Sequence, residues 1–137
     1  MTRKPINGRA KGAAFERAVA QELLLLTGIT FRRDLEQVRT AGRGDLEPSD
    51  PAWPFSLELK RYASGTGCKP EWKEQASRAA KAAGLIPAVV WKYNHRPISC
   101  SIPLSALCPA MPADQWADIT LRGLAHLAAE KMAEAAK

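Results

Sequence analysis

Glu58 and Lys60 stand two residues apart in the run Phe55-Ser56-Leu57-Glu58-Leu59-Lys60, an acid and a base separated by one apolar residue. Positions two apart on a β-strand share a face, about 6.5–7 Å apart between Cα atoms. The run therefore puts Ser56, Glu58 and Lys60 on one side and Phe55, Leu57 and Leu59 on the other. With the apolar side turned to the core, the acid and the base are expected to face a cleft or solvent. Asp45 lies thirteen positions before Glu58, and on the preceding strand of one hairpin it would come alongside Glu58 across the ladder. Two carboxylates a few ångströms apart raise each other's pKa unless a cation joins them, and hard oxygen ligands favour Mg²⁺ or Mn²⁺. A lysine beside that cation would lie close to any phosphate or water bound there. Taken alone, an acid two residues before a lysine also describes a solvated, salt-bridged strand face.

The elements that must position these residues can be read in outline. Residues 12–27 predict a helix, with Phe15, Val19, Leu23 and Leu26 at helical spacing and Gly28 at the C-cap. Residues 31–39 predict a strand of imperfect alternation. The stretch Pro48-Ser49-Asp50-Pro51-Ala52-Trp53-Pro54 cannot be strand, so it is expected to be the turn of a hairpin between residues 44–47 and 55–61. Pro70, Glu71, Lys81 and Gly84 mark the start and end of a second helix, amphipathic through Trp72, Ala76, Ala79 and Ala83. Residues 85–93 form a continuous apolar run expected to be a buried strand, and Ile98, Cys100, Ile102 and Leu104 alternate as its neighbour. A last helix from about residue 121 carries Leu124, Leu127 or Ala128, and Met132 on one stripe. This order predicts an α/β fold: a mixed sheet of about five strands flanked by helices.

At 137 residues the chain fits one domain, 1–137, with a basic N-terminal arm at about 1–11. Its 46% hydrophobic and 25% charged residues are those of a globular protein. The longest apolar run, Leu23 to Leu26, is far short of a membrane span, and no apolar stretch follows the basic N-terminus, so neither a membrane segment nor a signal peptide is expected. Cys68, Cys100 and Cys108 are odd in number and lack C-x-x-C spacing, which argues for free thiols and a cytoplasmic location, in the host if the chain is viral. The net charge of +6 points to a polyanionic partner. Arg3, Lys4, Arg9 and Lys11 meet no acid among the first eleven residues, which suits a nucleic-acid face, although a generally soluble basic surface fits the composition equally.

Asp45 followed by Glu58-Leu59-Lys60 resembles the D…ExK signature of the PD-(D/E)XK nucleases. With Lys11-Gly12, Phe15-Glu16-Arg17, Val38-Arg39 and the turn at residues 42–45, the stretch from about Arg9 to Gln75 is similar to the archaeal Holliday junction resolvases and their phage relatives. Gly44 stands where the signature's proline would be. The resemblance implies that Glu16, Asp45 and Glu58 are metal-binding carboxylates, with Leu59 in the same metal site. It also implies that Lys60 orients or activates the attacking water. Gln75 is expected on the buried side of its helix, where related nucleases often place a glutamine near the active site, although capping a sheet-edge group would explain it equally. Lys11, Arg39 and Arg43 flank the carboxylates in sequence and, with Arg3, Lys4 and Arg9, are the candidate DNA contacts.

The function so implied is a Mg²⁺-dependent endodeoxyribonuclease, with Mn²⁺ as a substitute, resolving four-way DNA junctions as a homodimer. The alternatives are a nuclease of duplex, flap or single-stranded DNA and a DNA-binding module of the same fold without turnover. His95 and His126 lack partners at ligand spacing, and the four tryptophans are expected in core or rim positions.

Overall fold

The computed structural model describes residues 8–33 and 44–137, the first four as backbone only. Helix α1 (Gly8–Thr27) leads to β1 (Phe31–Arg33), β2 (Leu46–Pro48) and β3 (Phe55–Tyr62). Then come α2 (Pro70–Ala83), β4 (Ile86–Tyr93), β5 (Ser99–Pro103), a 3-10 turn (Leu104–Ala106), β6 (Trp116–Ile119) and α3 (Leu121–Ala135). The main sheet has the order β3-β4-β5-β6. β3 and β4 are parallel, with Glu58 opposite Val89 and Lys60 opposite Trp91, and the β4-β5 and β5-β6 pairs are antiparallel. A parallel neighbour requires a crossover, and α2 is that crossover.

α2 forms where Pro70 occupies the first turn, and it stops where Gly84 takes a left-handed φ of 68°. The Thr120 side chain caps α3 by accepting from Gly123 N at 3.0 Å. On one face of the sheet, Phe15, Val19 and Leu23 of α1 and Leu124, Ala125 and Ala128 of α3 pack with Phe55, Leu57, Ala88, Val90 and Ile102. On the other, Trp72 and Ala76 of α2 pack with Val89, Trp91 and Tyr93. β3 is therefore covered on both faces. No helix among the described residues is long and apolar enough to cross a membrane.

The mixed α/β sheet with flanking helices is as expected, and the differences have physical causes. The expected hairpin is not formed: β2 pairs with β1 in an antiparallel ribbon, with Arg32 opposite Glu47, and the residues just before β2 join β3 through an isolated parallel bridge from Gly44 to Leu57. The Pro-rich turn is pinned at its end by Trp53, 2% exposed, which sets its ring edge-on against Phe31 at 4.9 Å and Phe55 at 6.0 Å. Ser49, Pro51 and Ala52 stay exposed at the surface, and Trp53 alone plugs the core. The buried stripe of α2 is Trp72, Ala76 and Ala80, a strict four-residue step, where Ala79 and Ala83 had been expected. α1 begins at Gly8, so Arg9 and Lys11 stand in its first turns. β6 was not foreseen, and residues 34–39 of the expected first strand lie outside the described residues.

Candidate active site

The site is built around the middle of β3. Asp45 N donates to Leu57 O at 2.7 Å, and Leu59 N donates to Asp45 Oδ2 at 2.7 Å. Asp45 thus spans the strand segment centred on Glu58, gripping it by one main-chain and one side-chain bond. This approach depends on Gly44. Its φ is +72°, and a Cβ there would lie 2.3 Å from Leu57 O. A proline, fixed near −65°, could not take that conformation, so the backbone explains why the signature's proline is absent.

Glu58 is 1% exposed, and Ser56 on the same face is buried with it. The expectation that this face opens to a cleft or solvent is corrected at these positions, because α2 packs over it. Burying a carboxylate costs several kcal/mol unless cations or donors compensate. Lys60, half-buried one step further along, donates from Nζ to Gln75 Oε1 of α2 at 2.9 Å. Gln75 is half-buried three residues after the fully packed Trp72, and its oxygen holds the ammonium in place. The Leu59 side chain packs into the opposite core, so its main-chain carbonyl is the atom it could offer to a cation.

Glu16 of α1 forms an ion pair with Arg33 of β1, Oε1 to Nε at 3.6 Å, both side chains about a quarter exposed. Among the described residues no three His, Cys, Asp or Glu side chains are grouped as they would be around a metal ion. The structure therefore ties Asp45 to the β3 backbone on either side of Glu58, pairs Lys60 with Gln75, and pairs Glu16 with Arg33. Two carboxylates and a carbonyl are an oxygen-only set. That fits Mg²⁺, which keeps several waters and commonly takes one or two carboxylates plus substrate phosphate oxygens. Arg3, Lys4, Arg39 and Arg43 lie outside the described residues, and Arg9 and Lys11 are described as backbone only.

Two neighbours of the site went unread in the sequence. Arg61 donates to Asn94 Oδ1 at 2.8 Å, tying the end of β3 to the turn after β4. Tyr62 continues the alternation of Glu58 and Lys60 and stacks on Trp72, with ring centroids 5.3 Å apart and an interplanar angle of 13°. Its position two residues after Lys60 was the available signal.

The family described as "Phage putative PDDEXK endonuclease" matches residues 7–131. Comparison with curated proteins gave no match. Among solved structures, the chain is similar to Hjc of Archaeoglobus fulgidus, a Holliday junction resolvase from an archaeal hyperthermophile. The TM-score is 0.53 at 17% identity, covering 86% of this chain and 98% of Hjc. At that identity the likeness is one of fold.

Proposed function

Because the chain belongs to the phage PDDEXK endonuclease family, we propose that it is a metal-dependent endodeoxyribonuclease that cuts four-way DNA junctions by paired phosphodiester hydrolysis. The observation that carries this reading is the grip of Asp45 on the peptide between Glu58 and Leu59, at 2.7 Å, one step from the Lys60–Gln75 pair. It sets Asp45 against the short stretch of β3 that carries Glu58 and the held ammonium of Lys60.

Asp45, Glu58 and the Leu59 carbonyl would hold the Mg²⁺. When bound, the ion supplies Lewis acidity, lowering the pKa of a water and taking up charge on the phosphoryl oxygens. Lys60 faces the same charge: its ammonium stabilises negative charge growing on the phosphoryl group and orients the attacking water. Gln75 is a positioning residue that keeps Nζ there at no cost in reorganisation. Glu16 is the α1 acid of the proposed set. Its carboxylate lies 3.6 Å from Arg33 Nε, with both side chains about a quarter exposed. The candidate phosphate contacts are Arg3, Lys4, Arg9, Lys11, Arg39 and Arg43.

Paired cuts call for two sites, hence a homodimer. Leu24, Leu25 and Leu26 expose an apolar run at the end of α1, surface of the kind a subunit contact uses. The test is incubation with Mg²⁺ and labelled four-way junction, duplex, flap and single-stranded DNA side by side. Preferential, opposed cuts in the junction are expected. Equal cleavage of duplex would replace the junction reading with a general nuclease, and no cleavage of any substrate would overturn both.

A further inference from the structure

We propose that Tyr62, backed by Trp72 and flanked by Lys69, is a stacking platform for an unpaired DNA base next to the scissile phosphate. The inference rests on the nuclease reading and names how that site would grip its substrate.

Along the α2-facing side of β3, exposure rises from Ser56 and the buried Glu58, through half-buried Lys60, to Tyr62, which keeps 46% of its surface exposed. The face leads from the buried acid to solvent. The same two elements supply both rungs: Lys60 meets Gln75, and Tyr62 meets Trp72, three residues earlier on α2. Trp72 is 4% exposed and packs in turn against Tyr93, centroids 6.2 Å apart, so the ring under Tyr62 is fixed. Lys69 Nζ lies 5.7 Å from the Tyr62 centroid and 5.6 Å from that of Trp72.

A rigid aromatic surface open to water beside a cation suits a nucleobase, because every base presents a π face and its neighbouring phosphates are anionic. The strand spacing puts Tyr62 about 6.5–7 Å from Lys60 between Cα atoms, one step along the strand from the ammonium assigned to the phosphoryl group. At the centre of a four-way junction, or in a single strand, a base can leave its neighbours to occupy that place. A fully paired duplex offers none without unstacking.

The experiment combines protein variants with substrates carrying a single abasic site at each of the three nucleotides on either side of the mapped cut. Tyr62→Ala and Tyr62→Leu are expected to weaken junction binding and kcat/KM by about 5- to 100-fold, with Tyr62→Phe within about twofold. At one abasic position the wild type should lose the same factor, and Tyr62→Ala should lose nothing more. Tyr62 is exposed, and an unchanged thermal midpoint in the variants would show that they fold. If wild type cuts, Lys60→Ala does not, and Tyr62→Ala matches wild type, the platform is refuted while the nuclease reading stands. A Tyr62→Ala defect equal on every abasic substrate would also refute it, marking the ring as structural. A wild type that neither binds nor cuts DNA would remove the nuclease reading and the platform together.

Discussion

The N–H that Asp45 Oδ2 accepts from, at 2.7 Å, belongs to the peptide joining Glu58 to Leu59. One acid of the candidate site is thus held by the backbone that carries the other. Their relative placement is set by this side-chain bond together with the main-chain bond from Asp45 N to Leu57 O.

That placement makes Gly44 a sensitive position. Gly44→Ala puts a Cβ 2.3 Å from Leu57 O in a left-handed backbone at φ +72°. A stability loss of at least ~1–3 kcal/mol is expected in urea unfolding, with cleavage falling alongside. Gly44→Pro, which restores the family's usual letter, should be worse. An active, stable Gly44→Pro would mean that the bridge to Leu57 is dispensable.

The Lys60–Gln75 bond separates charge from positioning. Lys60→Ala should lower kcat by ~10²–10³, the range for removal of one transition-state donor, while junction affinity changes little. Gln75→Leu keeps the ammonium and loses its anchor. A smaller kcat loss is expected, with KM unchanged and with partial rescue by Gln75→Glu. Single-turnover kinetics would show it, and a Gln75→Leu enzyme as fast as wild type would reduce the pair to packing.

The face carrying Glu58 and Lys60 was legible because residues 55–60 alternate without a break, and α2 because proline and glycine punctuate it. Gln75 was legible as a polar residue beside a buried stripe. The partner of β2 was not. A Pro-rich link between two short strands reads as a hairpin turn, and nothing local says that Trp53 must bury itself against Phe31 and Phe55. Burial of Glu58 was hidden for a similar reason: acid alternating with apolar residues signals a wet face unless a helix from later in the chain is known to cover it. β6 escaped notice because Trp116-Ala117-Asp118-Ile119 takes its meaning from β5, where Ser101 Oγ donates to Asp118 Oδ1.

Thiol chemistry reports on the core. Cys100 is fully buried, and burial pushes its thiol up to about 12 from 9.0. Burial also raises Cys68, against a partly offsetting hydrogen bond with Ser101. Cys108 is exposed. A thiol reagent at pH 8 should label Cys108 first, Cys68 slowly and Cys100 only on unfolding. The unfolded chain releases the Cys100 proton near 9 while the folded one keeps it to about 12, so stability should fall as pH rises through that window. Cys100→Ala should flatten the fall, and an unchanged slope would place its cause elsewhere.

Paired cutting is tested by mixing subunits. Wild type combined with Lys60→Ala should give heterodimers that nick one strand of a supercoiled cruciform and leave open circles where wild type leaves linear DNA. A wild type that sediments as a monomer and also accumulates open circles would mark a nuclease without resolvase pairing.

The most direct measurement is cleavage of a labelled four-way junction across a Mg²⁺ titration by wild type, Asp45→Asn and Glu58→Gln, with junction binding measured in parallel. Asparagine can still accept the Leu59 N–H bond, so Asp45→Asn removes charge without releasing the grip. Wild type should cut with Mg²⁺ and stop in EDTA. Both variants should bind the junction and fail to cut it, since the lost carboxylate weakens the cation site while easing repulsion of phosphate. Full activity of Asp45→Asn, or undiminished cutting in EDTA, would contradict a metal-dependent site built on Asp45 and Glu58.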